Sequence, residues 1–405
     1  DDNDKDGCGS GCAFINGGNL RVFYTGRREE EGKRANRQIL GTMTKEGVIR
    51  KDMVLIKEQP EGYTDHFQGP HFFVRDSHAY ALLGAQAAPA DDARGCLLLY
   101  REEKGLFHFA GELKTQLGFF GKVWECPALL SFGKHDVLFF SPRGLSDREF
   151  DWQNLFQSGY IVGHLSLAGR EMIHGKFHEL DRGFDFFAPH VGVHEGRALL
   201  FGWLSMPHKD EDYPTGEHGW MHTLTLPRVL TLKQGKIFSR PAPELKALRV
   251  ARSARELSGR AVPSLKTELA YCSEILMNIV MGVAQRIKIE LRYGREKVKI
   301  SYNRETDIVE ISREGMKLGG RGVRSFKLYT YHSLAMNIFI DRTAIEIFFQ
   351  NGEEVASFLV FPEEDVAPVF SVEADSPMEK VMGSIWDLDR LRYGELKSQK
   401  RKYRF

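Results

Sequence analysis

One carboxylate in this sequence stands in a setting typical of a proton donor. Glu125 lies between Trp124 and the pair Cys126-Pro127. Pro127 restricts the backbone directly after the acid, and the indole of Trp124 offers a large apolar surface beside it. An apolar surface excludes water from a carboxyl group and favours the protonated form that a general acid requires. These residues predict either an acid catalyst or, as the simpler alternative, a strand-end glutamate in a surface ion pair.

Other groups of chemistry-bearing residues are weaker candidates. His218 and His222 are four positions apart, but no glutamate stands between them in the register of a metalloprotease, so we expect no metal site. The glycine cluster at 7–11 precedes a strand-like run and no helix, which disfavours a dinucleotide cofactor. The five cysteines have no zinc-finger spacing. We therefore expect an activity without metal or cofactor.

Composition restricts the class of partner and the compartment. The sequence has 56 basic and 55 acidic residues, which disfavours nucleic acid or a membrane surface as a partner bound by bulk charge. No apolar run of about 18 residues is present. The scattered thiols and the lack of a glycosylation sequon predict a cytoplasmic protein. The chain starts at Asp1 without methionine, so its lack of a signal peptide carries little weight.

The apolar runs predict an all-β chain. They are short, rich in β-branched and aromatic residues, and bounded by Gly, Asp, Asn or Pro, as in 20–24, 78–83, 96–100, 137–140 and 198–203. Beyond residues 240–265 the alternation becomes strict, as in 286–291 and 297–302, which is typical of a sandwich. We predict a β domain over 1–245 and a β-sandwich over 246–405. The basic segment 397–404 is interpreted as a solvated tail.

Several longer motifs occur in a fixed order along the chain. They lie at 7–11, 23–26, 124–127, 157–163, 179–186, 202–203, 218–228 and 339–348. This series resembles glycoside hydrolase family 32 over essentially the whole chain. The resemblance implies a five-bladed β-propeller, here with an incomplete first blade, followed by a C-terminal β-sandwich. It also implies cleavage of β-fructosides such as sucrose, sucrose-6-phosphate or fructans by a retaining route, which needs two closely spaced carboxylates.

The resemblance assigns roles to individual residues. Glu125 matches the proton donor, whereas the Asn-Asp-Pro-Asn-Gly motif that carries the nucleophile does not occur in the sequence. The Arg-Asp-Pro triplet of the transition-state stabiliser reads Gln68-Gly69-Pro70, and a tyrosine of the family is Phe187 here. The positions assigned to substrate binding are Ser10, Gln68, Gly69, Trp124, Cys126, Asp185 and Trp203. Asp65 is the neighbouring acid that we considered as a substitute for the lost aspartate.

Three interpretations of function follow. The first is a β-fructofuranosidase whose catalysis is weakened by the lost carboxylates. The second is a non-catalytic protein that binds a small carbohydrate, and the third is a relic whose exposed strand edges favour a homo-oligomer. Recognition of a phosphorylated sugar requires a cation near the site, for which His71, Arg143 and Lys122 are the candidates.

Overall fold

The computed structural model describes residues 2–30, 32–89, 93–207 and 213–389. In these ranges the only helices are three short 3₁₀ helices, at Pro214–His218, Pro243–Leu248 and Ala251–Ser253. None of the helices described is long and apolar enough to cross a membrane. All other regular structure in these ranges is β-strand, which confirms the all-β prediction. The basic segment 397–404 lies outside the described residues.

The first eighteen strands form four antiparallel sheets. The first sheet contains β1 (Cys8–Asn16), β2 (Asn19–Glu30), β3 (Lys33–Met43) and β4 (Ile49–Ile56). The second contains β5 (Tyr63–Arg75), β6 (His78–Ala87), β7 (Arg94–Glu103) and β8 (Leu106–Glu112). The third contains β9 (Val123–Phe132), β10 (His135–Arg143), β11 (Gly159–Ser166) and β12 (Glu171–His174), with β13 (His178–Glu179) paired to β11. The fourth contains β14 (Phe186–His194), β15 (Arg197–Leu204), β17 (Arg228–Lys233) and β18 (Lys236–Pro241), with β16 (Thr223–Leu224) paired to β15.

These sheets are the blades of a β-propeller, and their number corrects the prediction. The described residues form four blades and not five. The first blade is complete, because consecutive hairpins join β1 to β4 in chain order. The first strands of successive blades contact one another, β1 with β5, β5 with β9 and β9 with β14. These first strands therefore face a common centre.

The chain divides into two compact units. The first comprises the described chain up to Leu180, together with Phe186–Trp203 and Thr231–Lys236. The second comprises Asp181–Asp185, Leu204–Leu230 and the described chain from Ile237 onward. Apolar side chains between neighbouring blades, among them Leu82 and Leu138, form the core of the first unit.

The second unit contains one sheet of ten strands. They are β19 (Arg255–Glu268), β20 (Ser273–Val280), β21 (Arg286–Tyr293), β22 (Glu296–Asn303), β23 (Ile308–Gly315), β24 (Val323–Lys327), β25 (Ser333–Ile340), β26 (Ala344–Phe349), β27 (Glu354–Leu359) and β28 (Val369–Asp387). The order is β24-β23-β22-β21-β28-β20-β25-β26-β27, and β19 pairs with β28. The ten strands thus form one curled sheet whose two halves share one apolar core, which agrees with the predicted β-sandwich. Its two halves are joined because β28 pairs with β21 through one end and with β20 through the other.

Candidate active site

Glu125 lies at a β-bulge near the start of β9. Ala128 pairs with Phe139 of β10, and Glu125 pairs with Ser141, so two residues of β9 stand opposite one of β10. Cys126, one of those two, has a φ of 50°. A bulge re-aims the side chains around it, and a non-glycine residue in this backbone region is often found at a functional site. The local backbone therefore supports a special role for the acid.

The carboxylate of Glu125 is held through one oxygen. Nε2 of Gln68 donates a hydrogen bond of 2.6 Å to Oε1, and Nη1 of Arg143 donates another of 3.2 Å to the same atom. The other oxygen, Oε2, has no hydrogen-bond partner among the described residues. The guanidinium of Arg143 is itself held over the ring of Phe156, 4.2 Å from its centroid. This arrangement fixes the carboxyl group and leaves one oxygen for a ligand.

Trp124 does not form the apolar wall that the sequence predicted. Adjacent residues of a strand point to opposite faces, and the indole lies on the face away from Glu125. Its ring packs against Phe140 in the core, and its Nε1 donates a 2.6 Å hydrogen bond to the carbonyl of Phe120. Only 3% of Trp124 is exposed, so the ring has no face free for a sugar. The assignment of Trp124 to substrate binding is therefore wrong.

Gly69 is fixed by residues of the first blade. Its amide donates a 2.9 Å hydrogen bond to the hydroxyl of Thr25, which in turn donates to Oε1 of Gln38 at 2.7 Å. Nε2 of Gln38 donates to the carbonyl of Phe67 at 3.3 Å. These buried contacts connect β2 and β3 with the bulge of β5 that follows Gln68. Thr25 was not among the predicted site residues, although it belongs to the motif at 23–26.

A cavity of about 880 Å³ lies along the first strands of the four blades. Its wall includes three of the predicted substrate-binding residues, namely Ser10, Gly69 and Cys126. The Sγ of Cys126 is 3.7 Å from the hydroxyl of Ser10. Burial raises the pKa of the Cys126 thiol to about 12, and that of Cys12 in the same wall to about 12. Both thiols are therefore protonated near neutral pH and do not replace a carboxylate nucleophile.

Two histidines near the site remain neutral. Burial lowers the pKa of His66, against the opposing charges of Asp65 and Glu125. His71 lies in the cavity wall with Nε2 3.2 Å from the carbonyl oxygen of Leu129, and burial lowers its pKa to about 4. A neutral ring does not attract a phosphate, so His71 is removed from the candidate cations. Arg143 is occupied by Glu125, and Lys122 stays a prediction.

The other two predicted sugar-binding positions have different surroundings. Asp185 is fully buried in the second unit, where Nη1 of Arg313 donates to Oδ2 at 2.5 Å and the amide of Leu359 donates to the same atom at 2.9 Å. Its assignment to substrate binding is therefore wrong, since no ligand reaches it. Trp203 follows Leu199 and Phe201 at the same strand parity, and both of those line the cavity. The assignment of Trp203 to substrate binding thus stays a prediction.

The longest motifs of the sequence build a buried ion cluster in the second unit. Nη2 of Arg228 donates to Oδ2 of Asp181 at 3.0 Å, to Oε2 of Glu346 at 2.8 Å and to the hydroxyl of Ser357 at 2.5 Å. Burial raises the pKa of both Asp181 and Glu346, and the charge of Arg228 opposes that effect. Since these groups are enclosed, the motifs at 179–186, 218–228 and 339–348 serve the fold at these positions.

Comparison with known proteins agrees with this arrangement. The model of the glycosyl hydrolases family 32 N-terminal domain matches residues 1–241, and that of the family 32 C-terminal domain matches residues 244–383. The chain belongs to glycosyl hydrolase family 32. It therefore has the fold and ancestry of a glycosidase, which confirms the resemblance found in the sequence.

Several members of family 32 are similar along most of the chain. Sucrose-6-phosphate hydrolase of Bacillus subtilis is 36% identical over 377 residues, which cover 89% of this chain and 75% of the relative. The structure of sucrose-6-phosphate hydrolase from Lactobacillus gasseri has a TM-score of 0.84 at 26% identity and covers 96% of this chain and 80% of that one. A mutant β-fructofuranosidase of Bombyx mori in complex with sucrose has a TM-score of 0.80 at 27% identity, covering 95% and 79%.

Proposed function

We propose that this family 32 chain binds a β-fructoside and that Glu125 protonates the departing glycosidic oxygen. The observation that carries the proposal is the asymmetric hold on Glu125. Gln68 and Arg143 occupy Oε1, while Oε2 has no partner among the described residues. An acid–base catalyst needs such a fixed position and one oxygen free for the leaving group.

The substrate class follows from the relatives. Two of them are sucrose-6-phosphate hydrolases, and a third was solved with sucrose bound. A cavity of about 880 Å³ lies within the range of small-molecule sites, about 300–1,000 Å³. We therefore propose sucrose, its 6-phosphate or a short fructan as the ligand. The cytoplasmic location, the boundary near residue 245 and a homo-oligomer stay predictions.

We further propose that hydrolysis by this polypeptide is slow. The retaining route uses a nucleophile and an acid about 5–5.5 Å apart. The position that matches the stabilising aspartate is Gly69, which has no side chain, and the cavity thiols are protonated. One positioned general acid contributes about 10²–10⁴ in rate, whereas enzymes reach about 10⁶–10¹⁷. Glu125 alone accounts for only a small part of that range.

The decisive experiment compares the purified chain with its Glu125→Gln variant. Glutamine keeps the size of the side chain and the contact with Arg143 but supplies no proton. We expect slow release of fructose from sucrose or sucrose-6-phosphate by the parent and none by the variant, with calorimetric binding of sugar by both. Equal rates in the two proteins would refute catalysis by Glu125. Binding without turnover in either protein would instead support the alternative of a fructoside-binding protein.

A further inference from the structure

The chain contains two Asn-Gly dipeptides, at 16–17 and at 351–352. At such a dipeptide the backbone nitrogen of the glycine can attack the side-chain amide of the asparagine. Glycine has no Cβ atom, so its nitrogen approaches the neighbouring Cγ atom with little steric hindrance. The attack also needs a free N–H group and a backbone that can rotate. The surroundings of the two dipeptides therefore decide where the reaction occurs.

The first dipeptide lies at the exposed tip of the β1–β2 hairpin. Asn16 ends β1 and pairs with Asn19 of β2, so Gly17 and Gly18 form a two-residue loop with φ values of 58° and 76°. All four residues are exposed, and a Cβ atom added at either glycine would have no atom within 4 Å. Neither the side chain of Asn16 nor the amide of Gly17 has a hydrogen-bond partner among the described residues. Both reacting groups are therefore free to move.

The second dipeptide follows β26 and is held by the chain around it. The amide of Gly352 donates a 2.8 Å hydrogen bond to the carbonyl of Phe349, and its carbonyl accepts one of 2.8 Å from the amide of Ser239. Gly352 is buried, and a Cβ atom added there would overlap the carbonyl oxygen of Ser239. Attack by this nitrogen requires its hydrogen bond to break and a restrained backbone to rotate. The second dipeptide is therefore protected.

We propose that Asn16 is a site of spontaneous deamidation and that Asn351 is protected from it. The nitrogen of Gly17 loses its proton to solvent base and forms a bond with Cγ of Asn16. The bond between Cγ and Nδ2 breaks, and ammonia leaves a cyclic succinimide behind. Water then opens this ring at either carbonyl carbon, which gives aspartate or isoaspartate at position 16. The net exchange is ammonia for water, so the reaction uses no oxidant or cofactor.

The modification changes the end of a sheet. Either product adds a negative charge at the hairpin tip, and isoaspartate also adds a methylene group to the backbone after residue 16. β1 is the terminal strand of its sheet and pairs with β2. The longer backbone disrupts the pairing of position 16 with Asn19, so β1 should fray from this end. The proposal does not depend on sugar binding or on catalysis at Glu125, because the reaction needs only the chain and water.

The test follows deamidation of the full chain by peptide mapping and mass spectrometry during incubation in a mildly alkaline buffer. Residues 16 and 351 are quantified in the folded protein and in the protein unfolded by guanidinium chloride, so each residue has its own reference. In the unfolded chain we expect similar rates, because glycine follows both asparagines. In the folded protein we expect residue 351 to react at least about tenfold more slowly than residue 16, since its glycine must first give up a hydrogen bond.

Ion-exchange chromatography gives an independent readout on matched variants. The folded parent and an Asn351→Gln variant should accumulate an acidic form at the same rate, whereas an Asn16→Gln variant should not, because glutamine closes its ring far more slowly. Equal rates at residues 16 and 351 in the folded protein would overturn the proposal. So would protection of residue 16 by about tenfold or more on folding, or an acidic form that accumulates equally fast in the Asn16→Gln variant.

Discussion

Gln68 and Glu125 are joined by a hydrogen bond of 2.6 Å from Nε2 to Oε1, which connects the second blade with the third. The partner at position 68 is a neutral amide, and the cation beside the acid is Arg143 of β10. The acid therefore has one neutral and one charged neighbour. The ion pair with Arg143 lies inside one hairpin, since Ser141 is the register partner of Glu125.

Removal of Arg143 should destabilise the fold through Glu125. Arg143→Met keeps the apolar contact with Phe156 but leaves a carboxylate, 9% exposed at its side chain, without its charge partner. We expect the free energy of unfolding to fall by about 1–2 kcal/mol, less than for a fully buried pair because Arg143 is partly exposed. Urea denaturation of the parent and the variant measures this difference in the free energy of unfolding. In a Glu125→Gln background the same change should cost under about 0.5 kcal/mol, and additive costs would contradict the coupling.

The backbone conformation at position 69 favours glycine, whereas the space around it would accept a Cβ atom. Its φ is +70°, whereas an added Cβ would lie 3.6 Å from the nearest atom, the amide nitrogen of Cys126. We expect Gly69→Ala to lower the stability by about 1 kcal/mol and Gly69→Asn to lower it less, because asparagine tolerates this region better. Chemical denaturation of the two variants checks the order. A larger loss for asparagine would show that volume decides.

His71 should make the protein sensitive to acid. Burial lowers the pKa of His71 to about 4 in the folded state, whereas a histidine in the unfolded chain has a pKa of about 6.5. The folded protein therefore takes up this proton only at a lower pH than the unfolded chain does. The stability from neutral His71 is present above about pH 6.5 and is lost as the pH falls towards 4. Between pH 7 and pH 4 the free energy of unfolding of the His71→Gln variant should decrease by about 2–3 kcal/mol less than that of the parent. Denaturation at several pH values, with exposed His108→Gln as the control, gives the comparison.

The buried ion cluster of the second unit should be far more sensitive than a surface pair. Arg228→Met leaves Asp181 and Glu346 enclosed without a cation, and we expect a loss of at least about 3 kcal/mol. Arg255→Met removes a pair with Asp387 in which both side chains are over a third exposed, and should cost under about 1 kcal/mol. Scanning calorimetry distinguishes the two. Similar Tm values for the Arg228→Met and Arg255→Met variants would contradict a structural role for the cluster.

Much of the architecture and part of the site could be predicted from the sequence. Period-two alternation and short apolar runs predicted the all-β fold, since strand formation depends on local pattern. The motif around Glu125 predicted Cys126 as a site residue, and Cys126 lies in the cavity wall next to the acid in the chain. The number of blades was predicted wrongly, because it came from resemblance and not from the residues present.

The partners of each side chain were decided only by the tertiary structure. Trp124 and Asp185 were predicted to bind sugar, yet the strand parity of β9 turns Trp124 into the core, and Arg313, 128 positions along the chain, encloses Asp185. Thr25 and Gln38 position the bulge at Gly69 through hydrogen bonds between strands of different blades. A sequence determines which residues alternate and which turns form, because those depend on near neighbours. Only packing of distant strands determines which polar groups meet, and therefore which motif residues bind a ligand and which hold the fold.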